Sequence, residues 1–126
     1  AGEAITLADG TIVQPEQVLG DPIAGTKLVY VGDVARMDEI IEPARGADAL
    51  VMEATYIAQD ADIARKFGHI TAAESAECAR IAGVKQLYLT HISRRYSGAV
   101  IEAEARAIFP NTIVANDLDR AVVKRS

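Results

Sequence analysis

Three short apolar runs in this sequence each end on a group that can do chemistry. KLVYV at 27–31 is followed by Gly32 and Asp33, ALVME at 49–53 ends in Glu53, and QLYLT at 86–90 is followed by His91. Beyond His91 lie Ser93, Arg94, Arg95 and Tyr96, and the other histidine, His69, stands just before Thr71 at another element boundary. Carboxylate oxygens and imidazole nitrogens are ordinary zinc ligands. A carboxylate can also bridge two metal ions, and paired ions suit phosphodiester cleavage because they stabilise both attacking and leaving oxygens. Arginine makes paired hydrogen bonds to phosphate. The set points to metal-assisted hydrolysis, although a catalytic zinc takes about three protein ligands and no H-x-H or H-x-x-x-D spacing occurs.

Taken singly, each residue has a plain structural role. Asp33 after a glycine suits a turn or cap, Glu53 a solvated carboxylate, and His91 a hydrogen-bonded imidazole. Arg94 and Arg95 suit a solvated loop, and His69 suits the C-terminal dipole of a short helix. Taken together they are harder to assign to structure. In an open α/β sheet, ligands bind outside the C-terminal ends of the strands, and one such edge would collect Asp33, Glu53 and His91.

The elements that must position them follow from periodicity. Residues 5–7 and 11–13 flank the turn dipeptide Asp9-Gly10 and read as a hairpin. Residues 14–25, with two prolines and two glycines, read as a loop. The runs at 27–31, 49–53 and 86–90 read as buried strands. Helices are expected at 37–45, with Pro43 shortening or kinking it, at 60–67 closed by Gly68, and from a Thr71/Glu74 capping box to Ala82. A further helix is expected from Ser97 or Gly98 to Phe109, then strands at 112–115 and 121–124. Strands alternating with helices predict an α/β layer with at least three largely parallel strands.

At 126 residues and a net charge of −5, the chain is one domain's worth or less, and it lacks the basic surface of a general nucleic-acid binder. Any such binding must use a local cluster such as Arg94–Arg95. A lone cysteine, Cys78, fits a reducing compartment, hence the cytoplasm, and reads as buried filler. No apolar run reaches the roughly 18 residues of a membrane span, and the first residues do not read as a secretion signal; no membrane partner is expected.

The ordered set LADGTIVQPEQVLGDPIAGTKLVYVGD (7–33), GADALVMEATY (46–56), GHITAAESAECARIAGVKQLYLTHISRRY (68–96) and FPNTIVANDL (109–118) resembles the C-terminal portion of the ribonuclease Z family. These are tRNA 3′-processing endoribonucleases of the metallo-β-lactamase superfamily, and the resemblance covers essentially the whole chain. It implies an α/β fold, half of a metallo-β-lactamase αββα sandwich: one mixed β-sheet with helices packed on one face. Residues 1–126 would form that C-terminal half, with the N-terminal metal-binding half absent and the segment inactive alone.

For the complete enzyme the resemblance implies two zinc ions, a homodimer and precursor tRNA as substrate, cut by zinc-activated water to remove the 3′ trailer. Asp33 would bridge the zincs and His91 would bind one of them. Glu53 would orient His69, which protonates the leaving 3′ oxygen. Arg95 and Tyr96 would bind substrate phosphate. Met52, Val34 and Ile70 stand where the family usually has histidine, threonine and serine. Two other readings compete: a superfamily hydrolase of small phosphodiesters or esters, and a non-catalytic half-domain that associates through an uncovered sheet face.

Overall fold

In the computed structural model, which describes residues 2–125, the strand runs form one parallel sheet. β1 (Ile5–Thr6) and β2 (Ile12–Val13) make an antiparallel two-stranded sheet of their own. A one-turn helix α1 (Pro15–Val18) follows, with Pro15 in its first turn, where proline's missing N–H costs nothing. Then come β3 (Leu28–Tyr30), α2 (Asp38–Ala44), β4 (Ala49–Glu53), a 3₁₀ turn (Ala58–Asp60), α3 (Ala61–Lys66), α4 (Ala72–Ala82), β5 (Leu87–Thr90), α5 (Gly98–Arg106) and β6 (Thr112–Val114).

The four-stranded sheet has the order β3-β4-β5-β6 and every pairing is parallel. The antiparallel pair stands apart from this sheet rather than making it mixed. Sequential strand order with one hand of crossover puts every connecting helix on the same face, and α4 packs against both α2 and α5. The helix-facing positions Leu50, Met52, Leu87 and Leu89 are fully buried, together with Ile101, Ala76 and Ala79 from the helices. Each large apolar side chain so buried contributes on the order of 1.5–3 kcal/mol. The other face is open: Leu28, Tyr30 and Ile113 are 56%, 73% and 40% exposed.

The helix boundaries follow local chemistry. Thr71 and Glu74 form the capping box that opens α4, with Glu74 N–H donating to Thr71 Oγ1 at 3.2 Å and Thr71 N–H to Glu74 Oε2 at 2.8 Å. Gly83 ends α4 at φ +67°, a left-handed conformation that glycine adopts without strain. α2 keeps Pro43 within its last turn, and α5 stops at Arg106 rather than Phe109.

The strand expected at 121–124 does not form. Ala121 and Val123 instead line a groove of about 430 Å³ with Leu28, Val51, Tyr88 and Ile113. The segment therefore borders the sheet's open face rather than extending a strand edge. None of the described helices is long and apolar enough to cross a membrane.

Candidate active site

Strand register brings the polar residues level. Glu53 pairs with Thr90 across β4 and β5, so His91 is one residue beyond Glu53 on the neighbouring strand. Tyr30 pairs with Val51 across β3 and β4, which puts Asp33 just past the same edge. His69 arrives by another route. Gly68 turns the chain after α3 at φ +71°, His69 N–H bonds Ala64 O at 2.9 Å, and Ala72 N–H bonds Tyr56 O at 2.8 Å. That last bond, with the parallel bridge between Tyr56 and Thr71, ties the His69 segment to the end of β4.

The result is one cluster. Asp33, Glu53, His69 and His91 each offer a ligand atom, and these atoms all lie within 4.8 Å of one another. The cluster divides into two pairs of different character. Glu53 is 1% exposed and collects three donors: Val34 N–H at 2.7 Å on Oε1, Thr55 Oγ1 at 2.5 Å on Oε2, and His69 Nδ1 at 2.7 Å on Oε2. A buried carboxylate is tolerated only with such compensation. Its bond to Nδ1 fixes the His69 ring and leaves Nε2 as the nitrogen free for other work. Ser75 Oγ donates to the Glu53 carbonyl at 2.6 Å, anchoring the strand end to α4.

Asp33 and His91 are the open pair. His91 Nε2 lies 3.7 Å from Asp33 Oδ1, with side chains 56% and 69% exposed. His91 has φ +55°, a left-handed conformation that costs a non-glycine residue on the order of 1 kcal/mol or more and that collects at functional sites. The His69 and His91 ring centroids are 5.3 Å apart. One carboxylate oxygen and one imidazole nitrogen at this separation suit a zinc-type cation, so the donor set fits part of a metal centre. It supplies two ligands beyond the Glu53–His69 pair, fewer than the roughly three a catalytic zinc takes.

The loop after His91 is also placed. Ser93 N–H donates to Thr55 O at 3.2 Å, tying the loop to the Glu53 strand end. Arg94 and Arg95 are exposed. The Tyr96 hydroxyl, expected to meet substrate phosphate, instead donates its one proton to Asp60 Oδ2. Burial and, after it, the Asp60 carboxylate push the Tyr96 phenol above its ordinary value. Met52 and Ile70 pack in the core with 0% and 1% exposure. Val34 packs against that core and serves Glu53 through its backbone, so these three variant positions present no side chain to the cluster.

Sequence reasoning places Thr55 after Glu53 at the strand end but gives it no role, and it does not single out Asp60 at all. Thr55 had a signal, its spacing of two from Glu53. Asp60 had none, because its partner Tyr96 is 36 residues away.

Residues 4–92 match the Beta-lactamase superfamily domain, and the chain belongs to that superfamily. Within it, the particular relatives are ribonucleases Z. The chain is 52% identical over 122 residues to Ribonuclease Z of Bradyrhizobium sp. (strain ORS 278), covering 97% of this chain and 40% of the relative. It is 48% identical over 114 residues to Ribonuclease Z of Methanothermobacter thermautotrophicus, covering 90% of this chain and 37% of the relative. Among solved structures, human tRNase Z, short form, matches with TM-score 0.64 and 26% identity over 90% of this chain and 37% of that one. The metallo-beta-lactamase fold protein YhfI from Bacillus subtilis matches with TM-score 0.64 and 26% identity over 69% of this chain and 35% of that one. The chain thus spans about 40% of the length of the ribonucleases Z it matches.

Proposed function

We propose that this chain forms the C-terminal half of a metallo-β-lactamase-fold endoribonuclease that removes the 3′ trailer of precursor tRNA. The observation that carries the reading is the cluster itself: a buried carboxylate–imidazole pair, Glu53–His69, beside an open carboxylate–imidazole pair, Asp33–His91. Structural ion pairs have no need of the second, exposed pair or of a left-handed histidine.

Asp33 and His91 would hold zinc, and the remaining ligands would come from the length of the relatives that this chain does not span. The chemistry zinc supplies when bound is polarisation of the phosphate and activation of water. His69, fixed through Nδ1 by Glu53, presents Nε2 to protonate the departing 3′ oxygen, which otherwise leaves as a costly alkoxide. Arg95 binds a phosphate of the RNA, and Tyr96 sets the loop that carries it. The complete enzyme acts in the cytoplasm as a homodimer, and the 126-residue segment alone is inactive.

The test compares two substrates. A full-length enzyme carrying this chain, loaded with zinc, is expected to cleave precursor tRNA at the 3′ end with a kcat/KM far above that for a small chromogenic phosphodiester. Efficient hydrolysis of the small ester with no tRNA cleavage would overturn the reading in favour of a small-molecule hydrolase.

A further inference from the structure

Asp60 lies outside every motif that pointed to the site, yet it meets both residues of the phosphate-side loop. Tyr96 Oη donates to Asp60 Oδ2, and Arg95 Nη1 lies 4.0 Å from the same oxygen. The loop is held at its other end by Ser93 N–H on Thr55 O at 3.2 Å, and it is closed internally by Tyr96 N–H on Ser93 O at 3.1 Å. Arg95 N–H reaches Ser93 Oγ at 3.3 Å. Asp60 is itself fixed, with its N–H on Ile57 O at 3.0 Å at the end of the 3₁₀ turn. Arg95 is therefore carried between two anchors, Thr55 and Asp60.

Resting on the ribonuclease reading above, we propose that Asp60 is a positioning residue for the reaction: through Tyr96 it fixes the far end of the loop and so sets where the Arg95 guanidinium meets a substrate phosphate. Its two contacts are unequal. Arg95 is half exposed at 4.0 Å, a pairing that solvent screens almost to nothing. The Tyr96 hydroxyl donates to a charged acceptor from a half-buried ring, a far stronger bond. The positioning runs through Tyr96, and the carboxylate's charge toward Arg95 is secondary.

The experiment uses a full-length enzyme carrying this chain. Asp60→Ala is expected to raise KM for precursor tRNA about tenfold while kcat stays within about threefold, because a misplaced binding group costs substrate affinity before chemistry. Tyr96→Phe should raise KM by a similar factor, and the double variant by no more than either single one. Asp60→Asn keeps an acceptor for Tyr96 and should stay within about threefold of the parent KM.

An unchanged KM in Asp60→Ala, additive effects in the double variant, or an Asn variant as impaired as the Ala variant would overturn the proposal. A second measurement needs no activity. Absorbance titration of the tyrosines should show one phenol titrating at lower pH in Asp60→Ala than in the parent, absent from Tyr96→Phe; no such change removes the Asp60–Tyr96 tie. Failure of the parent enzyme to cut precursor tRNA sinks the ribonuclease reading and the phosphate role with it, while the titration still decides the tie.

Discussion

The backbone N–H of Val34 donates to Glu53 Oε1 at 2.7 Å, so the residue that follows Asp33 is bonded to the carboxylate that holds His69. The Asp33 loop and the histidine are thus positioned by one buried group. Glu53→Ala would leave the Val34 N–H, the Thr55 hydroxyl and His69 Nδ1 without their acceptor. Each buried unsatisfied donor costs about 1–3 kcal/mol, although Thr55 and His69 can in part rotate toward water. The expected loss is about 2–4 kcal/mol, read as a lower urea midpoint, with Glu53→Gln losing less. An Ala variant as stable as the parent would show that the three bonds contribute nothing net.

His69 and His91 are 5.3 Å apart between ring centroids but differ in partner, and this separates their expected effects. In the full-length enzyme, His69→Ala should slow cleavage by about 10²–10⁴-fold, the usual worth of a general acid, with metal content near that of the parent. His91→Ala should lower bound zinc, measured by metal analysis after dialysis. Zinc lost from the first variant and retained by the second would reverse the two roles.

How much of this was legible in the sequence depends on how local each cause is. The ends of the strands were readable because apolar runs set β3, β4 and β5, and the strand-end rule for α/β sheets then collects Asp33, Glu53 and His91. The Thr71–Glu74 box fixed the start of α4 from four adjacent residues. A strand is expected at 121–124, but a strand forms only by pairing with an edge, and this segment lines a groove on the sheet's open face instead. Residues 14–25 read as a loop with little regular structure, since the single turn led by Pro15 leaves too short a pattern to show periodicity. Asp60 was invisible for a similar reason: its bond to Tyr96 joins residues 36 apart in the chain and exists only in the folded structure.

Glu104 is a second long-range residue of that kind. From α5 its carboxylate accepts Ala58 N–H at 2.9 Å and Ala73 N–H at 3.1 Å, at the start of the 3₁₀ turn and in the first turn of α4. It therefore caps two elements that bracket His69, where a negative charge is favoured. Glu104→Ala is expected to destabilise the chain by about 1–2 kcal/mol, as for loss of a helix cap, and Glu104→Gln by less because one acceptor oxygen remains. Chemical unfolding of the three proteins checks the order; an Ala variant matching the parent would show that water replaces the carboxylate without cost.

Cys78 gives a prediction about pH. Its side chain is fully buried, and burial pushes the thiol up from 9.0 to about 11. In the unfolded chain the thiol titrates at its ordinary value, so between these limits the unfolded state gives up a proton that the folded state keeps. Stability falls wherever the unfolded state binds fewer protons. This contribution is complete below about pH 9 and is lost as pH rises toward about 11, a fall of about 2–3 kcal/mol at roughly 1.4 kcal/mol per unit. The Tyr96 phenol, also raised, acts in the same direction but is present in both proteins of the comparison. Urea midpoints measured from about pH 8 to about pH 11 should therefore fall more steeply for the parent than for Cys78→Ala. Parallel curves would mean that the thiol ionises in the folded chain as easily as in the unfolded one.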